Sequence, residues 1–126
     1  MKKFQKVLTI LLSALIIITP CGANVVARAT KYHPGHHCGW VTADGSRISN
    51  KQLNDGKIRW VALSPDLIKI FPLGSKIRVE SDNPYLNGIW EVRDKMAPWV
   101  RNGIDFLMPR KSSYFNNPCK VKIYKV

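Results

Sequence analysis

Two carboxylates, Asp94 and Asp105, stand eleven positions apart at the ends of two strand-like runs. Asp94 closes Ile89-Trp90-Glu91-Val92-Arg93, in which bulky apolar and charged side chains alternate with the period of a β-strand; that alternation predicts Trp90, Val92 and Asp94 on one face. Asp105 interrupts the apolar run Ile104-Asp105-Phe106-Leu107, where an acid must be hydrogen-bonded, paired or functional to offset its desolvation. A carboxyl held in partly dry surroundings has a raised pKa and is suited to general acid or base chemistry. A structural reading stands beside this one: Asp94 as a cap on the turn before Met96-Ala97-Pro98, and Asp105 as the partner of a nearby arginine.

The elements that must position these acids lie downstream of an export segment. Lys2, Lys3 and Lys6 precede an apolar run from Val7 to Thr19 that Pro20 ends, the pattern of a secretory signal peptide and too short for a permanent membrane span. Ala27-Arg28-Ala29 and Cys21-Gly22-Ala23 both offer small-residue cleavage sites, so residues 1–29 are expected as leader, cut after Ala29 or Ala23, with a single domain over 30–126. Cys21 as an acylated lipoprotein cysteine is a weaker fit, because Pro20 precedes it. Four of the 20 Lys and Arg residues lie before Thr30, which leaves 16 against 8 Asp and Glu and a net charge of +8. Such an excess on an exported protein favours acidic wall polymers or surfaces. No recognition helix, zinc finger or RNA-binding sheet signature accompanies it, which argues against nucleic acid.

Cys38 and Cys119 remain after cleavage, and an oxidising compartment makes a disulfide between them the default reading, worth roughly 4 kcal/mol in the chain-entropy model; two free buried thiols are the other. His33, His36, His37 and Cys38 resemble metal ligands, but their spacing matches no standard zinc pattern and no second ligand cluster follows, so no metal and no cofactor is expected. Thr30-Lys31-Tyr32, residues 58–63, 76–80, 88–94, 104–107 and 120–126 read as strands. Asp44-Gly45 and Asn54-Asp55-Gly56 read as turns, and Ser64-Pro65 as the N-cap and first position of a helix stopped by Pro72-Leu73-Gly74. Some six short strands with one or two short helices predict a small, mainly β barrel. Trp90, Trp99 and Tyr32 offer apolar faces to sugar rings, although aromatics in so small a domain are also its natural core.

Thr42-Ala43-Asp44-Gly45, Trp60-Val61-Ala62-Leu63-Ser64-Pro65, Pro72-Leu73-Gly74-Ser75-Lys76-Ile77, residues 88–94 and Ile104-Asp105 resemble the three-aspartate (3D) domains and the related rare-lipoprotein-A-like double-psi β-barrels. The resemblance spans about residues 30–110. It implies a six-stranded double-psi barrel with a groove for glycan strands, in which Thr42 and Asp44 join Tyr32, Trp90 and Trp99 as substrate-binding residues. It also implies peptidoglycan cleavage as a lytic transglycosylase, acting as a monomer in the periplasm or outside the cell. In the three-aspartate branch the acid/base matches Asp105 with Asp94 in support; in the other branch the weight falls on Asp94. Ser64 stands where the first branch has its first aspartate, and Lys95-Met96 replaces the residues usual after Asp94. Those departures fit an expansin-like, non-catalytic wall-binding module as the alternative. An inverting glycoside hydrolase on the same barrel is a third reading.

Overall fold

The computed structural model describes residues 24–35, 39–110 and 119–126. Six strands, β1 (Asn24–Tyr32), β2 (Trp60–Leu63), β3 (Lys76–Glu80), β4 (Gly88–Lys95), β5 (Gly103–Leu107) and β6 (Cys119–Lys125), close into a barrel in the order β1-β5-β2-β4-β3-β6. Closure leaves no exposed sheet edge. The β1–β5 and β2–β4 pairs are parallel and the other four antiparallel. The helices are single turns, α1 (Asn50–Asn54) and α2 (Pro65–Ile68). The mainly β, six-stranded double-psi barrel expected from the sequence is the fold observed.

Alternation builds the core. Ala27 and Ala29 of β1, Val61 and Leu63 of β2, Ile77 and Val79 of β3, Trp90 and Val92 of β4, Ile104 and Phe106 of β5, and Val121 and Ile123 of β6 all point inward and are buried. Trp90 and Phe106 meet edge to face with centroids 4.8 Å apart. The Trp90 indole N–H donates to the Leu86 carbonyl at 2.9 Å, and the Arg59 guanidinium lies 4.0 Å from the ring centroid. The alanines on β1 leave room for these two large rings. A second apolar cluster forms outside the barrel, where Ile48, Leu53 and Ile58 of the β1–β2 connection pack on Leu107, Tyr32 and Trp60. Leu53 sits on α1, a helix hidden in a polar segment that reads from sequence as turn.

The first strand bears on the choice between the two expected cleavage sites. β1 starts at Asn24, six positions before Thr30, and pairs with β6 from Asn24 to Ala29. A cut after Ala29 would remove most of β1 and two inward alanines from the core; a cut after Ala23 leaves it whole. The expected leader over residues 1–23, with Cys21, lies outside the described residues. Among the described residues no helix is long and apolar enough to cross a membrane.

Candidate functional site

One row of side chains crosses four strands on the outer face of the barrel. Thr30 of β1 is registered with Asp105 of β5, Asp105 with Ala62 of β2, and Ala62 with Asp94 of β4. Register partners in a sheet point to the same side, so the two carboxylates flank Ala62 at two strand spacings, roughly 10 Å between Cα atoms. Ala62 is only 4% exposed. Its methyl group adds little bulk between the two acids.

Asp94 reaches this row because β4 is irregular. The β2–β4 register advances from Val61↔Val92 to Ala62↔Asp94, so Arg93 is the extra residue of a β-bulge. Trp90 and Val92 therefore face the core while Asp94 turns outward, which corrects the single face expected for all three. The bulge is clamped. Arg93 donates to Glu91 at 2.9 and 3.1 Å and to Asp44 at 3.1 Å, with its guanidinium 5.8 Å from the Trp60 ring centroid. Both carboxylates raise the Arg93 pKa further. The Asp44 N–H donates back to the Arg93 carbonyl at 3.2 Å.

The Thr42–Gly45 turn thus docks on the bulge and presents the Ala43 N–H to Asp94 Oδ1 at 3.0 Å; the Lys95 N–H donates to the same oxygen at 2.9 Å. The Tyr32 hydroxyl donates to Asp94 Oδ2 at 3.4 Å, which sets Tyr32 beside this carboxylate. Asp105 accepts from Thr30 Oγ1 at 2.8 Å. Burial pushes the Asp105 carboxyl up to about 6; the Thr30 hydrogen bond opposes the rise, the Asp94 charge adds to it, and His33 opposes it. A half-buried acid of this kind is protonated below neutrality and holds its proton beside a second carboxylate.

Other expected site residues are placed differently. Trp90 is 1% exposed and belongs to the core, so it cannot stack on a sugar. Thr42 is buried, and its hydroxyl donates to Asp44 and contacts the Ser46 carbonyl. Burial alone would raise the Asp44 carboxyl, but hydrogen bonds from Thr42, Ser46 and Arg93 hold it at about 2. Thr42 and Asp44 therefore shape the turn that braces Asp94, with their side-chain groups already engaged. Trp99 is 80% exposed on the connection that joins the two carboxylate strands. Ser64 is fully buried at the N-cap of α2 without capping it; its hydroxyl accepts from the Gly103 N–H at 3.0 Å and bonds the Asp66 carboxylate, which in turn takes the Asn102 N–H. This position ties α2 to the start of β5 and lies below the surface.

Cys119 carries a free thiol at the start of β6, which burial pushes up in pKa; Cys38, its expected partner, lies outside the described residues, as do His36 and His37. His33 sets its Nδ1 3.0 Å from the Met108 carbonyl. Thr30, Ala62 and Arg93 are the site residues that sequence reasoning missed. The alternation of Thr30 with Tyr32 was the available clue for the first; parallel pairing and the bulge leave no local trace for the others.

Neither a protein-family model nor a curated protein matches the sequence. Among solved structures, the barrel is similar to the apo expansin of Clavibacter michiganensis, at 13% identity and a TM-score of 0.57 over 82% of this chain and 50% of that one. A variant of the same expansin in complex with cellohexaose gives 12% identity and a TM-score of 0.55, again over 82% and 50%. The Streptomyces papain inhibitor is similar over 84% of this chain and 98% of its own, at 20% identity and a TM-score of 0.52. The chain spans about half the length of the expansins. At these identities the likeness carries the double-psi barrel fold and does not single out the three-aspartate or the rare-lipoprotein-A branch.

Proposed function

We propose that this domain is an exported cell-envelope protein that holds a polysaccharide strand in the groove over Ala62, with peptidoglycan glycan as the expected ligand. The observation that carries the reading is the Thr30-Asp105-Ala62-Asp94 row, two carboxylates across a small-residue floor on the outer face of a closed barrel. Sugars are recognised by hydroxyl donors meeting carboxylate acceptors and by ring faces meeting apolar surfaces, and Asp94, Asp105, Tyr32 and the exposed Trp99 supply both kinds of group. The expansin that shares the fold is known in complex with cellohexaose, which supports a β-linked glucan-type strand as the ligand class.

A catalytic reading rests on a separate observation, the pKa of about 6 at Asp105. As a lytic transglycosylase, Asp105 would donate its proton to the glycosidic oxygen as the C1–O bond breaks. The resulting carboxylate would then take the proton of the sugar's own 6-hydroxyl as that oxygen bonds C1, which closes the anhydro ring and restores the acid. Asp94 would stabilise the oxocarbenium-like charge. Pelleting the protein with purified sacculi and analysing the supernatant by mass separates the two. Co-sedimentation without new chain ends supports the binding module, release of anhydro-ended fragments supports the lyase, and absence of co-sedimentation rejects both.

A further inference from the structure

Beyond the Thr30 row, β1, β6 and β3 carry further side chains on the outer face of the barrel. Alternation along β1, β6 and β3 points Val26 and Arg28, Lys120 and Lys122, and Lys76, Arg78 and Glu80 to solvent. In the β1–β6 register Arg28 lies directly opposite Lys120, and Lys122 follows two positions on, about 7 Å along the strand. Like charges directly opposite one another on a sheet are destabilising. Among the described residues Arg28, Lys120 and Lys122 form no ion pair, and Glu80, the register partner of Lys122 on β3, is taken by Arg78 at 3.1 Å. Glu80 and Asp82 line the same shallow depression as Lys120, Lys122 and Val26, and neither forms an ion pair with these lysines among the described residues. Tyr124, next along β6, is covered by the Arg78 guanidinium 4.0 Å from its centroid.

An exposed line of opposed cations without ion pairs among the described residues, on a barrel that carries 17 Lys and Arg (20 − 3) against 8 Asp and Glu from Asn24 onward, is complementary to an external polyanion. We infer that the Arg28-Lys120-Lys122 strip binds a phosphodiester-linked polyol chain of the cell envelope, independently of glycan binding in the carboxylate groove. The lysine pitch of about 7 Å along β6 is close to the separation of successive phosphates in an extended glycerol-phosphate chain, and ammonium groups meet phosphate as point charges. A lipid surface fits less well, because the strip is a line one or two strands wide, and it lacks the exposed Trp, Phe or Leu side chains that would enter an interface.

The test measures retention of the purified protein on particles coated with poly(glycerol phosphate), as a function of salt. The wild type is expected to bind, and the combined variant Arg28→Gln, Lys120→Gln, Lys122→Gln to lose at least tenfold in affinity, with its log–log salt slope shallower by about 2. A charge-matched control, Lys51→Gln, Lys57→Gln, Lys69→Gln, removes exposed cations elsewhere and is expected to lose less than threefold. Asp105→Asn is expected to bind as the wild type does. Lys122→Gln alone is expected to lose several-fold, which preserves the test if the triple variant folds poorly. Equal losses in strip and control variants, equal retention on a phosphate-free carboxylated glycan, or binding only to vesicles of anionic phospholipid would each overturn the proposal.

Discussion

Asp94 and Asp105 are registered opposite the same residue, Ala62, from the two strands that flank β2. Neither acid neighbours the other along a strand. Their convergence depends on the parallel β2–β4 pair, the antiparallel β2–β5 pair and the one-residue bulge at Arg93.

The raised pKa of Asp105 makes a pH-dependent stability prediction. The folded state holds the Asp105 proton more tightly than the unfolded chain does. Its favourable contribution is therefore complete below about pH 4 and disappears as pH rises through about 6. A shift from 3.8 to about 6 corresponds to at most about 3 kcal/mol. Asp105→Asn keeps the acceptor for Thr30 and cannot ionise, so by urea unfolding it should be more stable than the wild type at pH 8, with the difference vanishing near pH 4. A wild type that is the more stable protein at pH 8 would contradict this.

Arg93 should act by positioning its neighbour. Arg93→Ala removes both ion pairs that clamp the bulge and one of the bonds that hold Asp44. The Ala43 and Ser46 amides, which donate to Asp94 and Asp44, should then exchange with deuterium roughly tenfold faster while the β1–β6 amides stay protected. Unchanged exchange at Ala43 would show that the turn holds Asp94 without the clamp.

Ser64 should matter to stability alone. Ser64→Ala leaves the buried Gly103 N–H without its acceptor, a loss of about 1–3 kcal/mol. Thermal unfolding should show it, and glycan binding measured below the transition should be unaltered. A variant as stable as the wild type but unable to bind would place Ser64 in the site after all.

If the chain is exported through a cleaved leader, processing should spare the strand. Because Asn24 to Ala29 pair with β6, cleavage after Ala23 is, of the two expected sites, the one compatible with a closed barrel. N-terminal sequencing of the exported protein should start at Asn24; a start at Thr30 would mean that the barrel closes without most of β1.

Much of the barrel was legible in the sequence, because side-chain alternation is a local property. Residues 76–80 and 89–93 carry it clearly, residues 104–107 read as a strand from their apolar run, and the Asp44-Gly45 and Ser64-Pro65 junctions carry their turn and helix-start chemistry in their residue types. What was not legible is non-local. Ala27 and Ala29 read as a cleavage motif because small residues serve a peptidase and a crowded barrel interior equally well. Trp90 read as a sugar platform because nothing in its own strand says that the bulge three residues on will turn Asp94 outward and leave the indole inside. Asp105 was found because an acid in an apolar run is costly wherever the run folds; Thr30, which satisfies it, is 75 positions away.

Glycan contact at Ala62 and the two carboxylates beside it is the central claim. Titration of the 15N-labelled protein with a soluble β-linked oligosaccharide, cellohexaose and a peptidoglycan glycan fragment in turn, followed by amide chemical shifts, measures that directly. The largest shifts are predicted at Thr30, Tyr32, Ala43, Ala62, Asp94 and Asp105, with Asp105→Asn weakening the interaction. Saturating shifts confined to other strands, or none with either oligosaccharide, would contradict the groove as a glycan site.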